Sequence, residues 1–506
     1  MESILKRFIF SFVTNAVRAL VSFITVILVA KWLGPEDYGR MAFLLSTFIA
    51  IKSLLDMGSS SAFFTFLSKK RMSSAFILYF WLWVLLQLLI SILIVGYVLP
   101  DNVISSIWKG ESRSLVFLAL IAAFMQFSVW PIASQMAEAN RQTIKVQKLN
   151  LLIVFLHLLV IVCFIYFGVI SIPIIFVVTA CEWLIASIIA SHYYKRIDFQ
   201  KNNKNINELS NLETFKSFII YCLPFIPYVW LAFASDFGDR WILQTFGGSI
   251  EQAYYSIALQ FASVSLIATT SIIKILWKEV AELNEEANKV FIGKICRSSF
   301  IAIYLFTAVI CCMLVPHAES IIKLLLGPEY VNGSMALTLM FLYPVHQSLG
   351  QLGGSVLCSM GLTQIHVIIG SFHCILSLIL AYFLIAPKEA HLPGFDLGSV
   401  GLAIKMLSVQ FLTVNIALLY ISRKLLIPSF LKIQIFILII LIPLSYFTKY
   451  FIKIIIKTFQ IYNNTEYFEL FFSVISYCGI LFIIAYCLYA IDYYEIKSKI
   501  KYFLKN

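Results

Sequence analysis

The sequence predicts an all-α integral membrane protein, on three observations: an excess of apolar residues, a series of long uncharged stretches, and a biased distribution of lysine and arginine. Of the 506 residues, 61% are hydrophobic and 13% are charged, and the mean hydropathy is +0.91. A soluble domain carries roughly 25% charged residues. This chain therefore has too little polar surface to cover itself in water, and lipid is the solvent that its composition requires.

The apolar stretches are long enough to span a bilayer. A helix needs about 20 predominantly apolar residues to cross the hydrocarbon core, and on this rule the chain contains about fourteen transmembrane helices. They are predicted near residues 10–33, 41–64, 75–99, 114–136, 149–168, 172–194, 217–237, 253–277, 298–316, 335–359, 364–386, 398–421, 430–448 and 468–490. The longest connections, 195–216 and 278–294, are too short to hold a folded domain.

Lysine and arginine give the orientation. Cytoplasmic loops of membrane proteins carry an excess of both residues. The loops on the side of the N-terminus hold 25 of them, in clusters such as 69–71, 195–204 and 497–505. The other side holds about 10, of which only those at 449–457 come together. Both termini are therefore predicted to be cytoplasmic. The net charge of +12 lies in these loop clusters, which is not the basic face expected of a nucleic-acid-binding protein.

Two similar stretches predict an internal repeat. Residues 32–39, WLGPEDYG, follow the first span, and residues 246–256, FGGSIEQAYYS, follow the seventh. In both, a glycine-containing turn precedes an acidic, an aromatic and a small residue that enter the next helix. Many transporters consist of two related bundles with the substrate path between them. The predicted domains are 1–200 and 201–425, each with six helices, followed by two further helices and a cytoplasmic tail in 426–506.

Four short motifs carry a family resemblance: LGPEDYG at 33–39, DMG at 56–58, DRW at 239–241 and LGPEY at 326–330. In this order they resemble Wzx-type polysaccharide flippases of the multidrug/oligosaccharidyl-lipid/polysaccharide (MOP) superfamily. The resemblance implies two six-helix lobes in a V shape, as in MATE transporters, with a central cavity that opens alternately to each side. It also implies transport of undecaprenyl-pyrophosphate-linked oligosaccharide to the periplasmic leaflet, for O-antigen, capsule or exopolysaccharide assembly.

The same resemblance implies the setting of the protein. It places the chain in the bacterial inner membrane and gives it a lipid-linked oligosaccharide as substrate. A polysaccharide polymerase and a chain-length regulator are the implied protein partners. No cofactor is expected. Because the sequence contains no ATP-binding motif, transport energy would come from an H⁺ or Na⁺ gradient, from the membrane potential or from the supply of substrate.

Ionisable residues inside the spans are the candidate substrate contacts. Such residues are expensive in lipid, so they are expected to face protein or water. A cation there replaces the lost hydration of a pyrophosphate through charge-assisted hydrogen bonds. Two alternatives remain open, since Lys52 and Asp56 are four residues apart and favourably placed to pair, and Lys274 is close enough to the interface to snorkel. The predicted cavity residues are Arg18, Lys52, Asp56, Lys274 and Lys405.

The motif residues are predicted to form a gate at the outer side. The glycines and the proline are explained by turn geometry. Glu36 and Asp37 either act in the gate or stabilise the start of the second helix, and Asp239 and Arg240 either act in it or form a structural pair. Pro224 and Pro227 predict a bend in the seventh span. The gate set is Gly34, Pro35, Glu36, Asp37, Tyr38, Gly39, Asp239 and Arg240.

Nothing in the sequence predicts covalent chemistry. It contains no phosphate-binding glycine loop, zinc-binding helix or nucleophile elbow. His157, His346, His366 and His373 share no metal-type spacing and are interpreted as core side chains rather than as proton carriers. Catalytic, metal and cofactor sites are therefore not expected.

Three other functions stay open on the sequence. A polysaccharide polymerase or ligase is also polytopic but usually carries a large periplasmic loop, which this chain lacks. A multidrug antiporter of the same superfamily would favour carboxylates for its cationic substrates, whereas cations slightly outnumber carboxylates in these spans. A flippase for a lipid II-type peptidoglycan precursor differs only in the head group that it carries.

Overall fold

The protein folds as a bundle of long helices. The computed structural model describes residues 4–68, 74–139, 142–193, 211–282, 289–458 and 467–483, and every regular element in these ranges is helical. The first half contains α1 (Ile4–Asp56), α2 (Ser59–Ser68), α3 (Ser74–Leu93), α4 (Asp101–Ile107), α5 (Arg113–Phe124), α6 (Trp130–Ala139), α7 (Thr143–Tyr166) and α8 (Ile172–Tyr193). The remainder contains α9 (Asn211–Cys222), α10 (Ile226–Phe246), α11 (Gly248–Glu282), α12 (Lys289–Leu314), α13 (Ala318–Leu325), α14 (Ser334–Met340), α15 (Tyr343–Ser359), α16 (Thr363–Ile385), α17 (Gly398–Leu425), α18 (Leu431–Thr458) and α19 (Tyr467–Ile483).

Helix α1 is a hairpin of two helical segments. The chain leaves the helical conformation at Gly34, where φ is 76° and ψ is 170°, and Pro35 follows. Residues with a side chain rarely adopt this φ, so glycine is the residue that allows the corner. Val26 and Val29 before the corner line the same cavity as Met41 and Leu45 after it. The two segments therefore run back along each other, as the first two predicted spans require.

The prolines of the seventh predicted span interrupt it as expected. Helix α9 ends at Cys222, a 3₁₀ turn covers Leu223–Phe225, and α10 starts at Ile226. A proline has no N–H to donate to the preceding turn, which explains why the interruption coincides with Pro224 and Pro227. The helix is thus interrupted at the predicted position, and the bend itself stays a prediction.

Ten helical stretches in the described part of the chain are long and apolar enough to cross a membrane. The expected number of about fourteen is not confirmed. One reason is that the first two predicted spans form a single stretch, Val13–Asp56, across the Gly34 corner. Another is that the predicted span 335–359 is divided into α14 and α15 at Phe341–Leu342, and that α19 has only 17 residues in Tyr467–Ile483.

The outer faces of the helices are apolar, as lipid requires. On α3, Leu78, Leu82 and Leu89 are each more than half exposed, and on α18 Phe436 and Ile439 are both 65% exposed. In water such continuous apolar exposure would promote aggregation. The chain is therefore a multi-pass membrane protein.

The two halves meet through α1, which packs against α10 and α11 as well as against α5 and α7 of its own half. One large buried core extends across this contact and includes Val29, Phe43, Ile257 and Leu337. Near the opposite ends of the helices, Phe218 of α9 packs at a steep angle against the rings of Phe66, Phe76 and Phe80 of the first half, with ring centroids 5.4 to 6.1 Å apart.

The last two helices attach to the second half. Helix α18 packs on α12, and the Lys449 ammonium donates a hydrogen bond of 2.7 Å to the carbonyl of Pro316. The hydroxyl of Ser473 on α19 is 2.8 Å from Nε2 of His317, and both residues are buried. These contacts connect α18 and α19 to the segment around Pro316.

Candidate functional site

Three glycine corners meet at one end of the bundle, the end that the sequence predicts to be outer. Gly34 and Gly248 both have φ of 76°, and Gly327 has φ of 99°. The first two are the corners of the predicted internal repeat. Gly34 and Gly327 are both followed by proline and glutamate. We call the contact region of these three corners the outer junction.

The closest approach in the outer junction is between Gly39 and Ser249. A Cβ on Gly39 would lie 1.7 Å from the carbonyl oxygen of Ser249 and 3.2 Å from the amide nitrogen of Ala253. Only a glycine leaves room for a backbone at this distance. The start of the second segment of α1 and the start of α11, which carry the two repeated motifs, therefore pack directly on each other.

Two tyrosines form hydrogen bonds between the Gly327 corner and the other two corners. The Tyr330 hydroxyl donates a hydrogen bond of 2.7 Å to the carbonyl of Ala30, and the Tyr254 hydroxyl donates one of 3.2 Å to the carbonyl of Glu329. The two rings meet edge to face at 6.2 Å. Burial raises the pKa of Tyr330, so its hydroxyl remains a donor at any physiological pH. At this end the first and second halves are held in contact.

A charged group next to the junction supports the corner from within the first half. The Arg40 guanidinium donates to both oxygens of Glu111, at 2.7 and 2.8 Å, and to Asp37 at 2.9 Å. Glu111 is buried in the loop between α4 and α5. Paired, parallel hydrogen bonds of this kind are the strong form of an arginine–carboxylate contact. Asp37 thus has a structural partner, and Glu36 is exposed.

The same loop reaches the second half through a cation–π contact. The ammonium of Lys109 lies 3.9 Å from the ring centre of Trp241 on α10. A cation over an indole ring is attracted by about 0.5 to 2 kcal/mol, depending on desolvation. This contact joins the α4–α5 loop of the first half to the second half, and we call it the outer latch.

Lys405 and Asp239 form a buried ion pair. The Lys405 ammonium donates to Asp239 Oδ2 and, at 2.7 Å, to the Ser377 hydroxyl. Lys405 is 1% exposed, and Ser235 donates to the same hydroxyl at 3.1 Å. The pair connects α10, α16 and α17. In this conformation Lys405 is therefore the partner of Asp239 and is not accessible to a substrate.

Arg240 points elsewhere. Its guanidinium donates to the Ser256 hydroxyl at 3.0 Å and lies 4.7 Å from the ring centre of Tyr255. Both partners are on α11. Asp239 and Arg240 are thus sequence neighbours with separate partners. Asp239 pairs with Lys405 of α17, and Arg240 contacts two residues of α11.

Arg18 and Lys52 lie far from the outer junction, on the two segments of the α1 hairpin. They are 16 and 18 residues from Gly34 in the sequence, which corresponds to about 24 and 27 Å along a helix. The two cations therefore lie at nearly the same depth, toward the side predicted to be cytoplasmic. Both are half-buried, and within the described part of the chain neither has a hydrogen-bond or ion-pair partner.

Asp56 does not neutralise Lys52. Its carboxylate accepts hydrogen bonds from Ser60 N at 3.1 Å, from Ser59 Oγ at 3.2 Å and from Ser60 Oγ. These are the contacts of a residue that stabilises a helix start, here the start of α2. The sequence alternative in which Lys52 pairs with Asp56 is not what the structure shows.

Two adjacent cavities lie around this end of α1. A small polar one is lined by Lys52, Gln87 and Ser128. A larger one, of about 300 Å³, is lined almost entirely by apolar side chains, including Trp83, Phe215 and Ile226. The two share Asp56, Ser59 and Phe80. A cation and an apolar slot thus lie side by side where the first half meets α9 and α10. Lys274 is on α11, in the part of that helix whose side chains lie outside the described residues.

Comparison with known proteins decides the family. Residues 4–277 match the family model described as "Polysaccharide biosynthesis protein". The chain belongs to this family. Among curated protein sequences, none matches this family member.

Solved structures confirm the fold class of this polysaccharide biosynthesis protein. A structure of the lipid II flippase MurJ in an inward closed conformation is 15% identical, with 95% of this chain and 99% of that chain covered and a TM-score of 0.67. An inward-facing multidrug resistance MATE transporter is 14% identical, with 80% and 95% covered and a TM-score of 0.60. A MOP superfamily transporter from Pyrococcus furiosus is 14% identical, with 83% and 95% covered and a TM-score of 0.57.

Sequence reasoning missed several charged residues that the structure makes prominent. The sequence gives no signal for Arg40, Lys109 and Glu111, because each is an ordinary charged residue near a predicted loop. Their roles depend on partners that lie as far as 132 positions away, for Lys109 and Trp241. The motif identifies the buried acid Asp239, but the sequence predicts that Lys405 contacts the substrate, whereas in the structure it contacts Asp239.

Proposed function

We propose that this protein is a flippase that moves lipid-linked oligosaccharides from the cytoplasmic to the outer leaflet without catalysing covalent chemistry. The substrate class is an oligosaccharide on a polyprenyl pyrophosphate, and the product is used for a surface polysaccharide such as O-antigen, capsule or exopolysaccharide. The membership of the polysaccharide biosynthesis family and the fold shared with a lipid II flippase support this proposal.

The observation that carries the proposal is the pair of cations at one depth. Arg18 and Lys52 remain without a carboxylate among the described residues, whereas Lys405 is neutralised internally by Asp239. An unpaired cation inside a membrane protein is expensive, and an anionic ligand offsets that expense. A pyrophosphate has the charge and the acceptor oxygens to accept hydrogen bonds from both an arginine and a lysine.

The two adjacent cavities fit the other parts of such a ligand. A lipid-linked sugar is amphiphilic, and the apolar slot beside Lys52 offers about 300 Å³ to part of a prenyl chain. The slot lies where the two halves meet, so a lipid chain reaches it sideways from the bilayer. The polar sugar then occupies the aqueous side of Arg18 and Lys52.

The closed outer junction gives the proposed starting state. With the outer end held by Gly39, Tyr330 and the outer latch, substrate enters from the cytoplasmic side. Transport then requires these contacts and the contacts of Phe218 at the opposite end to open in turn, which is alternating access. The proposal includes two six-helix lobes in 1–200 and 201–425, two further helices in 426–506, and cytoplasmic termini in a bacterial inner membrane.

Substitution of the two cations tests the proposal. Arg18→Ala and Lys52→Ala should each abolish surface polymer in intact cells while the protein remains in the membrane fraction at its normal level. Lys31→Ala is the matched control, because Lys31 is on the same helix and is exposed near the outer end. Normal polymer in both cavity variants would overturn the proposal. Lost resistance to cationic drugs instead of lost polymer would favour an antiporter.

A further inference from the structure

A histidine and a glutamate form a close pair inside the first half. Nδ1 of His157 on α7 is 2.7 Å from Oε2 of Glu182 on α8. The side chains are 25% and 14% exposed, so neither is in contact with bulk water over most of its surface. The other carboxylate oxygen, Glu182 Oε1, is buried and has no hydrogen-bond partner among the described residues. The pair is therefore only partly satisfied by the protein.

His157 of this pair lines a cavity that extends to the other half. This cavity has a volume of about 350 Å³, and His157 is part of its wall. The wall also contains polar side chains from both halves: Ser22 and Thr25 of α1, Gln126, Thr179 of α8 and Gln260 of α11. A change of charge at His157 thus occurs beside a cavity between the first half and α11 whose mostly apolar wall contains these polar groups.

We propose that His157 and Glu182 form a proton-binding site that couples transport to the proton gradient. In the unprotonated state the neutral imidazole donates its Nδ1–H to the carboxylate, and the pair has a net charge of −1. Binding of one proton through the cavity gives a net charge of 0, and release of that proton on the other side restores −1. An imidazole is suited to this exchange because it changes charge between about pH 5 and 8.

Other ionisable groups lie on the helices that pack around α7 and α8. From the elements packed around α7 and α8, Tyr38 of α1 lines the same cavity, and Arg18 is one helical turn before Ser22. Four others have partners elsewhere: Arg113 of α5 binds Asp101, Glu138 of α6 has a polar or electrostatic contact of its own, Lys145 of α7 lies over the Tyr193 ring, and His192 of α8 bonds to the carbonyl of Ile188. Lys148 of α7 is exposed, and Lys52 of α1 lines the separate small polar cavity.

Coupling between proton binding and the conformation of the protein can be detected in the absence of substrate. If a proton binds the outer-open and outer-closed states with different affinities, then pH must change the ratio of those states. The inference rests on the transport function proposed above, because it supplies the energy for that transport. Its test, however, measures only the conformational ratio, so the two proposals fail separately.

The test is a distance measurement across the outer end by electron paramagnetic resonance. Spin labels are placed at Asn102 of α4 and at Glu389 after α16, both exposed, on a full-length chain whose ten native cysteines have been replaced. The distance distribution is recorded in lipid bilayers at about pH 5 and pH 8, the limits of the range in which histidine side chains in general change charge. The variants are Glu182→Gln and His157→Gln, and the matched control is His192→Gln on the same helix α8.

We expect the population of the longer distance to change with pH in the otherwise native chain and in His192→Gln. The change should be lost in Glu182→Gln, which keeps a hydrogen-bond acceptor for His157 but removes the carboxylate charge. A pH response that persists in both Glu182→Gln and His157→Gln would overturn the inference. So would a native distance distribution that is the same at both pH values.

Discussion

The carbonyl oxygen of Ser249 occupies the space that a side chain on Gly39 would need, so these two residues fix the contact between the halves. We predict that Gly39→Ala prevents closure of the outer junction, since a Cβ would lie 1.7 Å from that oxygen. Forcing a methyl group into a packed site typically costs about 1–3 kcal/mol, and here the opposing atom is backbone. Surface polymer should fall steeply, measured on intact cells at equal protein level.

Gly479→Ala is the control for this prediction, because a Cβ at Gly479 meets nothing within 4 Å. It should leave the polymer level unchanged. Equal polymer levels for Gly39→Ala and the native chain would show that closure of the junction is not part of transport.

The outer latch between Lys109 and Trp241 should set the stability of the closed state. Removal of a cation–π contact of about 0.5–2 kcal/mol shifts the ratio of open to closed molecules by about 2- to 30-fold. Lys109→Ala and Trp241→Ala should each increase labelling of a cysteine placed at Ser256 by an impermeant thiol reagent. The double variant should add little to either single one, whereas Lys388→Ala, in another outer loop, should have no effect. Strictly additive effects would mean that the two residues do not interact.

The pair of Lys405 and Asp239 should be structural. Removal of one member of a buried ion pair costs about 3–5 kcal/mol because the other charge is left uncompensated. Lys405→Met should therefore lower the thermal unfolding midpoint and the amount of protein in the membrane. Adding Asp239→Asn should restore both the protein and the surface polymer, since no isolated charge remains. If the double variant is stable yet exports no polymer, Lys405 has a direct role in transport.

The orientation of the chain is open to direct test. Because of the lysine and arginine bias, reporter fusions after Lys148 and after Lys216 should both report a cytoplasmic location. A fusion after Glu389 should report the opposite side. A periplasmic signal at either of the first two positions would invalidate the predicted topology, and with it the assignment of the outer junction.

The fold was predictable from the sequence because each helix is determined mainly by the residues within it and at its ends. Apolar length gives the spans, and glycine and proline give the corners, as Gly34 and Pro224 illustrate. The span count was not confirmed, for local reasons as well: the stretch 335–359 looks continuous in hydropathy, yet its backbone breaks at Phe341–Leu342, just before Pro344. Hydropathy does not report such a break.

The site was less predictable because its contacts are remote in sequence. Lys405 and Asp239 are 166 residues apart, and Arg40 and Glu111 are 71 apart. A cation in a span looks the same in a sequence whether a carboxylate or a ligand neutralises it. Only the packing of α10 against α17 separates Lys405 from Arg18 and Lys52. His157 was interpreted as a core side chain for the same reason, since Glu182 is on a different helix.

Because α1 is a hairpin, the positions of Arg18 and Lys52 depend on the number of residues that separate each of them from Gly34, and much less on the identity of those residues. Each is positioned by counting helical residues from Gly34. One residue inserted between Gly39 and Lys52 would turn Lys52 by about 100° and move it by about 1.5 Å, so that it faced a different neighbour. Substitutions along these two segments leave that register intact. Relatives that carry the same kind of substrate should therefore vary in the identity of the exposed residues within 19–33 and 40–51, and hardly at all in the number of residues in these two ranges.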